Sequence, residues 1–86
     1  MQILRIEGAT RVLGKSQGYL GLPLRDEVIN CVVNGQGTPC MTTAWEPSPK
    51  EIAAINAGAP IYVRLVGIAH PPIMVEVGNA PQLANE

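Results

Sequence analysis

The chain has 86 residues, a length that fills one hydrophobic core, so we expect a single domain over residues 1–86. Lys and Arg number 6 and Asp and Glu number 7, and this balance argues against a nucleic-acid partner held mainly through its phosphates. Apolar residues make up 47% and charged residues 15% of the chain, which excludes a disordered protein. The longest apolar stretch is too short to cross a membrane, and the first residues have no signal-peptide pattern. We therefore expect a cytoplasmic protein without a membrane partner.

The apolar residues are almost all aliphatic. The sequence has no Phe, one Trp and two Tyr, so Ile, Val and Leu must supply nearly all the burial. Their β-branched members favour strands, and the Gly and Pro residues between them divide the chain into short pieces typical of a β-rich domain. A core of this size is marginal alone, and few charges cover its surface. The composition therefore favours a homo-oligomer.

Strands are predicted in chain order through the first half. The predicted segments are residues 2–7, residues 9–13, an irregular or edge strand over 19–24, residues 28–33, a turn over 34–37, and a returning strand over 40–45.

A short helix follows these strands. Ser48 has the side chain of an N-cap, Pro49 suits the first helical position, and Glu51 lies three residues after the cap, which together form a capping box. Gly58 is a typical residue for the end of such a helix. The pattern predicts a helix over about residues 49–57.

The last third of the sequence predicts a β-hairpin, over about residues 61–67 and 72–77. Apolar residues alternate in both segments, and the register that places both apolar rows on one face also sets Arg64 across from Glu76. The fold class expected is therefore α+β: a small antiparallel β-rich domain with one short helix and a C-terminal hairpin. The polar tail, residues 79–86, is expected to be flexible.

Two cysteines lie in the predicted central hairpin. Cys31 and Cys40 are nine positions apart, which matches no zinc or thioredoxin motif, so we expect small hydrophobic side chains and no metal site. If the loop closes around residues 35 and 36, the two cysteines face each other. If it closes around residues 34 and 35, they do not meet.

Three rings are candidates for contact with a ligand. His70 precedes two prolines, so it is either a solvent-facing turn residue or a ligand contact on a rigid loop. Trp45 ends a strand just before the helix, where it either joins sheet and helix or contacts a ligand. Tyr19 lies beside glycine, where an exposed ring can stack on a planar ligand.

Three cations in the N-terminal half have no partner assigned by the sequence, namely Arg11, Lys15 and Arg25. They are either simply solvated or, brought together at a subunit boundary, suited to a phosphate. The sequence has neither a phosphate-binding loop motif nor a recognisable nucleophile–base pair. We therefore expect a binding protein that needs no cofactor, not an enzyme.

Several segments resemble a group of small proteins encoded by bacteriophages and prophages. The resemblance spans about residues 18–78, and its segments are residues 18–24, residues 41–51, residues 56–61, and Gly67 with His70-Pro71-Pro72 and Met74-Val75. It is specific as a family signature but brings no particular activity with it. It implies a phage accessory protein that acts in the bacterial host cytoplasm.

In that setting two functions compete. The first is sequestration, by a homo-oligomer, of a small anionic ligand such as a cyclic nucleotide or an ADP-ribose derivative made by a host defence system. The second is a protein-interaction module, either a host-enzyme inhibitor or a minor phage assembly factor. The residues expected to bind a ligand are Arg11, Tyr19, Arg25, Trp45 and His70.

Overall fold

The fold is mostly β with one short helix. A computed structural model describes residues 1–15, 18 and 20–80, and the elements below are those of the described residues. In chain order they are β1 (Gln2–Leu4), β2 (Arg11–Leu13), β3 (Leu22–Cys31), β4 (Gly35–Thr42), β5 (Ala44–Glu46) and α1 (Pro49–Asn56). The predicted mixture of antiparallel strands and a single helix is confirmed for this part of the chain.

A three-stranded antiparallel sheet has β3 at its centre, between β2 and β4. Leu24 of β3 lies opposite Arg11 of β2. Pairing of β3 with β4 begins one residue later, where Arg25 faces Thr42. Residues 22–24 are therefore paired by these strands on one side, which allows Pro23 to lie in β3 although it has no backbone N–H.

The connection between β3 and β4 differs from the predicted one. The strand expected over residues 28–33 ends at Cys31, the turn spans residues 32–34, and Gly35 pairs with Cys31. The predicted turn over residues 34–37 is therefore wrong. Gly35 and Gly37 have positive φ angles of 87° and 72°, which let the chain turn and twist early within β4.

A second, two-stranded sheet pairs β1 with β5, and Ile3 lies opposite Trp45. The strand predicted over residues 2–7 ends at Leu4, and the strand predicted over residues 40–45 is divided at Thr43 between β4 and β5. Only two hydrophobic residues of the described chain are buried, namely Ile6 and Leu24, and Leu24 is 2% exposed. The core is therefore very small and depends on Leu24.

Helix α1 begins and ends as predicted. The backbone N–H of Glu51 donates to Ser48 Oγ at 3.1 Å, and the backbone N–H of Ser48 donates to Glu51 Oε1 at 2.9 Å, which confirms the capping box. At the other end, Gly58 has a φ of 97°, and the N–H of Ala59 donates to the carbonyl of Ala54 at 3.0 Å. This is the bonding pattern of a Schellman motif.

The side chain of Val12 on β2 lies close to the backbone of Gly21, the residue before β3. A Cβ atom added to Gly21 would lie 2.6 Å from Cγ1 of Val12, well inside van der Waals contact. The space is filled by the valine side chain because residue 21 has none.

Residues 61–80 are described, and none of them belongs to a helix or strand. The hairpin predicted over residues 61–67 and 72–77 is therefore not confirmed. Its connection contains Pro71 and Pro72, which have no backbone N–H to donate to a strand ladder. Most of the tail expected over residues 79–86 lies outside the described residues.

Candidate functional site

A polar cluster on one face of the three-stranded sheet is built around Arg11. The guanidinium donates to Asp26 through Nε (3.1 Å to Oδ2) and Nη2 (2.9 Å to Oδ1), so the two side chains form a bidentate pair. Nη2 also lies 3.0 Å from the sulfur of Met41. The pairing of neighbouring strands causes this arrangement, because Arg11 faces Leu24, two residues from Asp26, and Asp26 faces Met41.

Thr10 also holds the Asp26 carboxylate. Its hydroxyl donates to Asp26 Oδ2 at 2.6 Å and accepts from the backbone N–H of Asp26 at 2.9 Å. The hydrogen bonds from Arg11 and Thr10 lower the pKa of Asp26 from its ordinary value, with the arginine contributing most. The carboxylate therefore stays ionised and holds the guanidinium in one orientation.

A shallow depression of about 260 Å³ adjoins this cluster. Its walls are formed by Arg11, Asp26, Glu27, Pro39, Cys40 and Met41. Nη1 of Arg11 takes part in none of the hydrogen bonds formed among the described residues. The guanidinium thus has one edge fixed by Asp26 and a further nitrogen able to donate to an anion.

A second ion pair lies on the opposite face of the same strand. Successive side chains of β3 point to opposite faces, so Arg25 and Glu27 face away from Asp26. Arg25 donates through Nη1 to the carbonyl of Glu7 at 2.8 Å, and its Nε lies 3.1 Å from Glu27 Oε1. The Thr42 hydroxyl donates to Glu27 as well, and this bond, followed by that from Arg25, lowers the pKa of Glu27.

The two arginines predicted to bind a ligand therefore do not meet within one chain. Arg11 is paired with Asp26 and Arg25 with Glu27, each on its own face of β3. The pairing of Arg11 with Asp26 depends on the register of β2 against β3, which the sequence does not show. Arg25 and Glu27 are two residues apart and share one face of β3. Of the two, Arg11 is the one that lines a depression.

The other candidates lie apart from this cluster. Trp45 is exposed on β5 and donates from Nε1 to Thr43 Oγ1 at 2.9 Å. His70 is exposed near the end of the chain, where Nδ1 lies 2.8 Å from the carbonyl of Pro71. Lys15 is exposed after β2. Tyr19 lies outside the described residues.

The cysteines are free and half-buried, but they are not directly opposite each other. Cys40 faces Glu27, and Cys31 faces Gly35, so neither predicted register is observed. Within residues 1–15, 18 and 20–80, no group of three His, Cys, Asp or Glu side chains is arranged to hold a metal ion.

Sequence reasoning missed three residues of the cluster: Thr10, Asp26 and Met41. The charges of Arg11 and Asp26 are visible in the sequence, but their separation of 15 positions gives no local signal. The register of β2 against β3 is needed to place them together.

A second depression, of about 290 Å³, lies where the chain leaves α1. It is lined by residues of the N-terminus, the helix and the segment after it, including Met1, Glu51, Ile55, Ile61 and Tyr62. The terminal ammonium group of Met1 donates to Glu51 Oε2 at 2.7 Å. This bond, followed by the backbone bond from Ser48, lowers the pKa of Glu51 to about 2.

Comparison with known proteins adds no functional assignment, because no family model, curated protein or solved structure matches the chain. The described residues include no helix with the length and apolar character that crossing a membrane requires.

Proposed function

We propose that this protein is a non-enzymatic homo-oligomer that sequesters a small anionic, nucleotide-like ligand. In this proposal it is a phage accessory protein of the bacterial cytoplasm, and its ligands are defence signals such as cyclic nucleotides or ADP-ribose derivatives. The two C-terminal segments, residues 61–67 and 72–77, form their antiparallel strands in the assembled protein.

The observation that carries the proposal is the fixed guanidinium of Arg11. Asp26 occupies the edge formed by Nε and Nη2, which orients the group without using Nη1. An arginine held in this way loses little conformational freedom when it binds a phosphate. The side chains of Pro39 and Met41 beside it offer an apolar wall for a base or ribose.

The depression is too small and too open to enclose a dinucleotide alone. Its volume of about 260 Å³ is below the roughly 300–1,000 Å³ typical of sites for drug-sized ligands. A second copy of the chain would supply further walls and a second fixed arginine, which is the reason to propose a site at a subunit boundary.

His70 has no catalytic role in this proposal. His70 is the single histidine of the sequence, and its hydrogen bond among the described residues goes to the carbonyl of Pro71. Neither Cys31 nor Cys40 takes part in a hydrogen bond with it. A nucleophile activated by histidine would need such a contact.

A retention assay tests this function. The protein is incubated with a panel of cyclic dinucleotides and ADP-ribose derivatives, separated from free ligand and denatured, and the released compound is analysed. We expect one class of ligand to be released intact by the wild-type protein. Arg11→Gln should lose retention, whereas the matched variant Arg5→Gln should keep it, because Arg5 is exposed and outside the cluster.

Two results would overturn the sequestration proposal. A cleaved product that depends on the protein would make it an enzyme. Retention of no member of the panel by a folded protein would favour the interaction module, either a host-enzyme inhibitor or a phage assembly factor. The large number of exposed apolar side chains is the observation that supports this second function.

A further inference from the structure

The chain exposes far more surface than a compact protein of its mass. Its accessible surface is 7932 Å², whereas a folded monomer of 9.1 kDa exposes about 4,900 Å². The nine residues outside the described part could supply at most about 1,400 Å² of this excess, even if fully exposed. At least about 1,600 Å² per chain then remains, which exceeds the roughly 800 Å² that each partner buries in a standard interface.

Much of this surface belongs to residues 61–77, which we name the C-terminal arm. Ile61, Val63 and Leu65 are 45%, 46% and 38% exposed, whereas Tyr62 and Val66 are 86% and 99% exposed. In residues 61–66, exposure thus alternates with the period of a β-strand. This half of the arm already presents one side inward and one outward, although none of its residues is in a strand ladder.

The middle of the arm opposes a tight reversal within one chain. Pro71 and Pro72 have φ fixed at about −65°, and a proline also disfavours helical geometry in the residue before it. His70 and Pro71 are therefore both held towards extended backbone. Gly67, with a φ of 130°, provides a bend just before this stiff segment. The two halves of the arm are thus linked by a bend at Gly67 followed by a stiff segment that contains the two prolines.

The two halves of the arm are complementary to each other in apolar pattern and in charge. Its apolar row in residues 61–65 matches the apolar row of residues 73–77, and its two full charges, Arg64 and Glu76, have opposite signs. A heterologous partner would have to reproduce both features. A second copy of this chain already has them.

We propose that the arm is exchanged between two copies of the chain. Residues 61–67 of one copy pair antiparallel with residues 72–77 of the second copy, in the register that sets Arg64 opposite Glu76. Two-fold symmetry then forms the same contact twice. This inference rests on the homo-oligomer of the proposed function and identifies the segment that holds it together.

Cross-linking distinguishes exchange from a hairpin within one chain. In a background of Cys31→Ser and Cys40→Ser, Arg64→Cys and Glu76→Cys are made as two separate proteins, mixed and oxidised without ligand. Residues directly opposite in an antiparallel pair have Cα atoms about 4.5–5.5 Å apart, within the range that a disulfide spans. We expect a covalent dimer in the mixture, and also in the protein that contains both cysteines.

The matched control moves one cysteine to the other face of the strand. Val63→Cys mixed with Glu76→Cys should cross-link at least about tenfold less, because the two side chains point to opposite faces. An internal disulfide in monomers of the double-cysteine protein, with no covalent dimer in the mixture, would show a hairpin within one chain and overturn the exchange. Absence of both products would overturn the register and with it the proposal.

A second measurement does not depend on the introduced cysteines. Leu65→Asp, on the inward side of the arm, should raise the dissociation constant of the oligomer at least about tenfold in analytical ultracentrifugation. Val66→Asp adds the same charge on the outward side and should change it much less. Circular dichroism of both variants reports whether the helix and sheets still fold. A folded Leu65→Asp variant that assembles like the wild type would contradict the exchange.

These experiments are made without ligand, so their outcome is independent of sequestration. Cross-linked arms in a protein that retains no nucleotide would leave the exchange intact and overturn the binding function. Ligand retention by a protein whose arms do not cross-link would leave the binding function intact and overturn the exchange.

Discussion

The strand-and-helix body, residues 1–58, forms paired strands, whereas the C-terminal arm does not. In the body, β3 and β4 pair over most of their length, closed by a turn of three residues. In the arm, a regular alternation of apolar residues has no ladder partner among the described residues of its own chain. Alternation creates a strand that can pair, but the connection decides whether the pairing partner comes from the same chain.

The body itself has a very small hydrophobic core. Its buried hydrophobic residues in the described chain are Ile6 and Leu24. Such a core leaves little stability to spare, so covering the apolar side of the arm is expected to contribute to folding as well as to assembly.

Hydrogen exchange gives the largest expected contrast between the two regions. In dilute protein, amides of residues 61–67 and 72–77 should exchange at rates close to those of an unstructured chain, while those shared by β3 and β4 are protected. At concentrations that favour the oligomer, alternate amides of the arm should slow by about tenfold or more. Protection of the arm that is independent of concentration would place its partner in the same chain.

The next largest effect is expected in the core of the body. Leu24→Ala should destabilise the fold by about 2–5 kcal/mol, because it leaves a cavity at the most buried side chain. Leu20→Ala is the matched substitution at an exposed position and should change stability by less than about 0.5 kcal/mol. Urea denaturation measures both, and equal effects would mean that Leu24 is not the centre of the core.

The helix cap provides an intermediate effect. Ser48→Ala removes the acceptor for the backbone N–H of Glu51 and should cost about 1 kcal/mol. Lys50→Ala, at an exposed position of the same helical turn, serves as the control and should cost far less. Denaturation midpoints followed by circular dichroism would show the difference. An unchanged stability of Ser48→Ala would mean that the capping box does not stabilise the body.

Acid should weaken the contact between α1 and the N-terminus. The pKa of Glu51 falls from an ordinary 4.5 to about 2 on folding, so its ionised form favours the folded state. This contribution is complete above about pH 4.5 and disappears as the pH falls through about 2. Glu51→Gln should flatten that part of the curve of melting temperature against pH, whereas Glu46→Gln, on β5, should leave it in place.

The smallest effect on stability is expected from the Arg11–Asp26 pair, because both side chains are exposed. Arg11→Lys keeps the charge but not the bidentate geometry. Its melting temperature should differ slightly from that of the wild type at low salt and equal it at about 1 M salt. Arg5→Lys should show no difference at either salt concentration, and a large loss for Arg11→Lys would mean that the pair has a structural role.

Local chemistry explains which elements the sequence predicted well. The helix was predicted because Ser48, Glu51 and Gly58 determine its ends over a few residues. The β3–β4 turn was misplaced because Val32 and Val33 look like strand residues, whereas the structure places them in the turn. The preference of these two residues for strands was overridden by the register of the whole hairpin.

The candidate site was predicted only in part, for a related reason. Arg11 could be selected as a cation without a local partner, but Asp26 and Met41 join it through strand pairing. Arg11 and Arg25, predicted to converge across a subunit boundary, lie on opposite faces of the three-stranded sheet within one chain. Contacts distant in sequence require a register, and a register requires the turn to be placed correctly.

The close approach at Gly21 has a consequence for how this sequence can vary. Because a Cβ atom there would lie 2.6 Å from Cγ1 of Val12, the two positions share one small volume. Gly21→Ala alone should push β2 away from β3, whereas Gly21→Ala with Val12→Ala restores the space. Positions 12 and 21 are therefore expected to change together during evolution, with a larger side chain at one accompanied by a smaller one at the other.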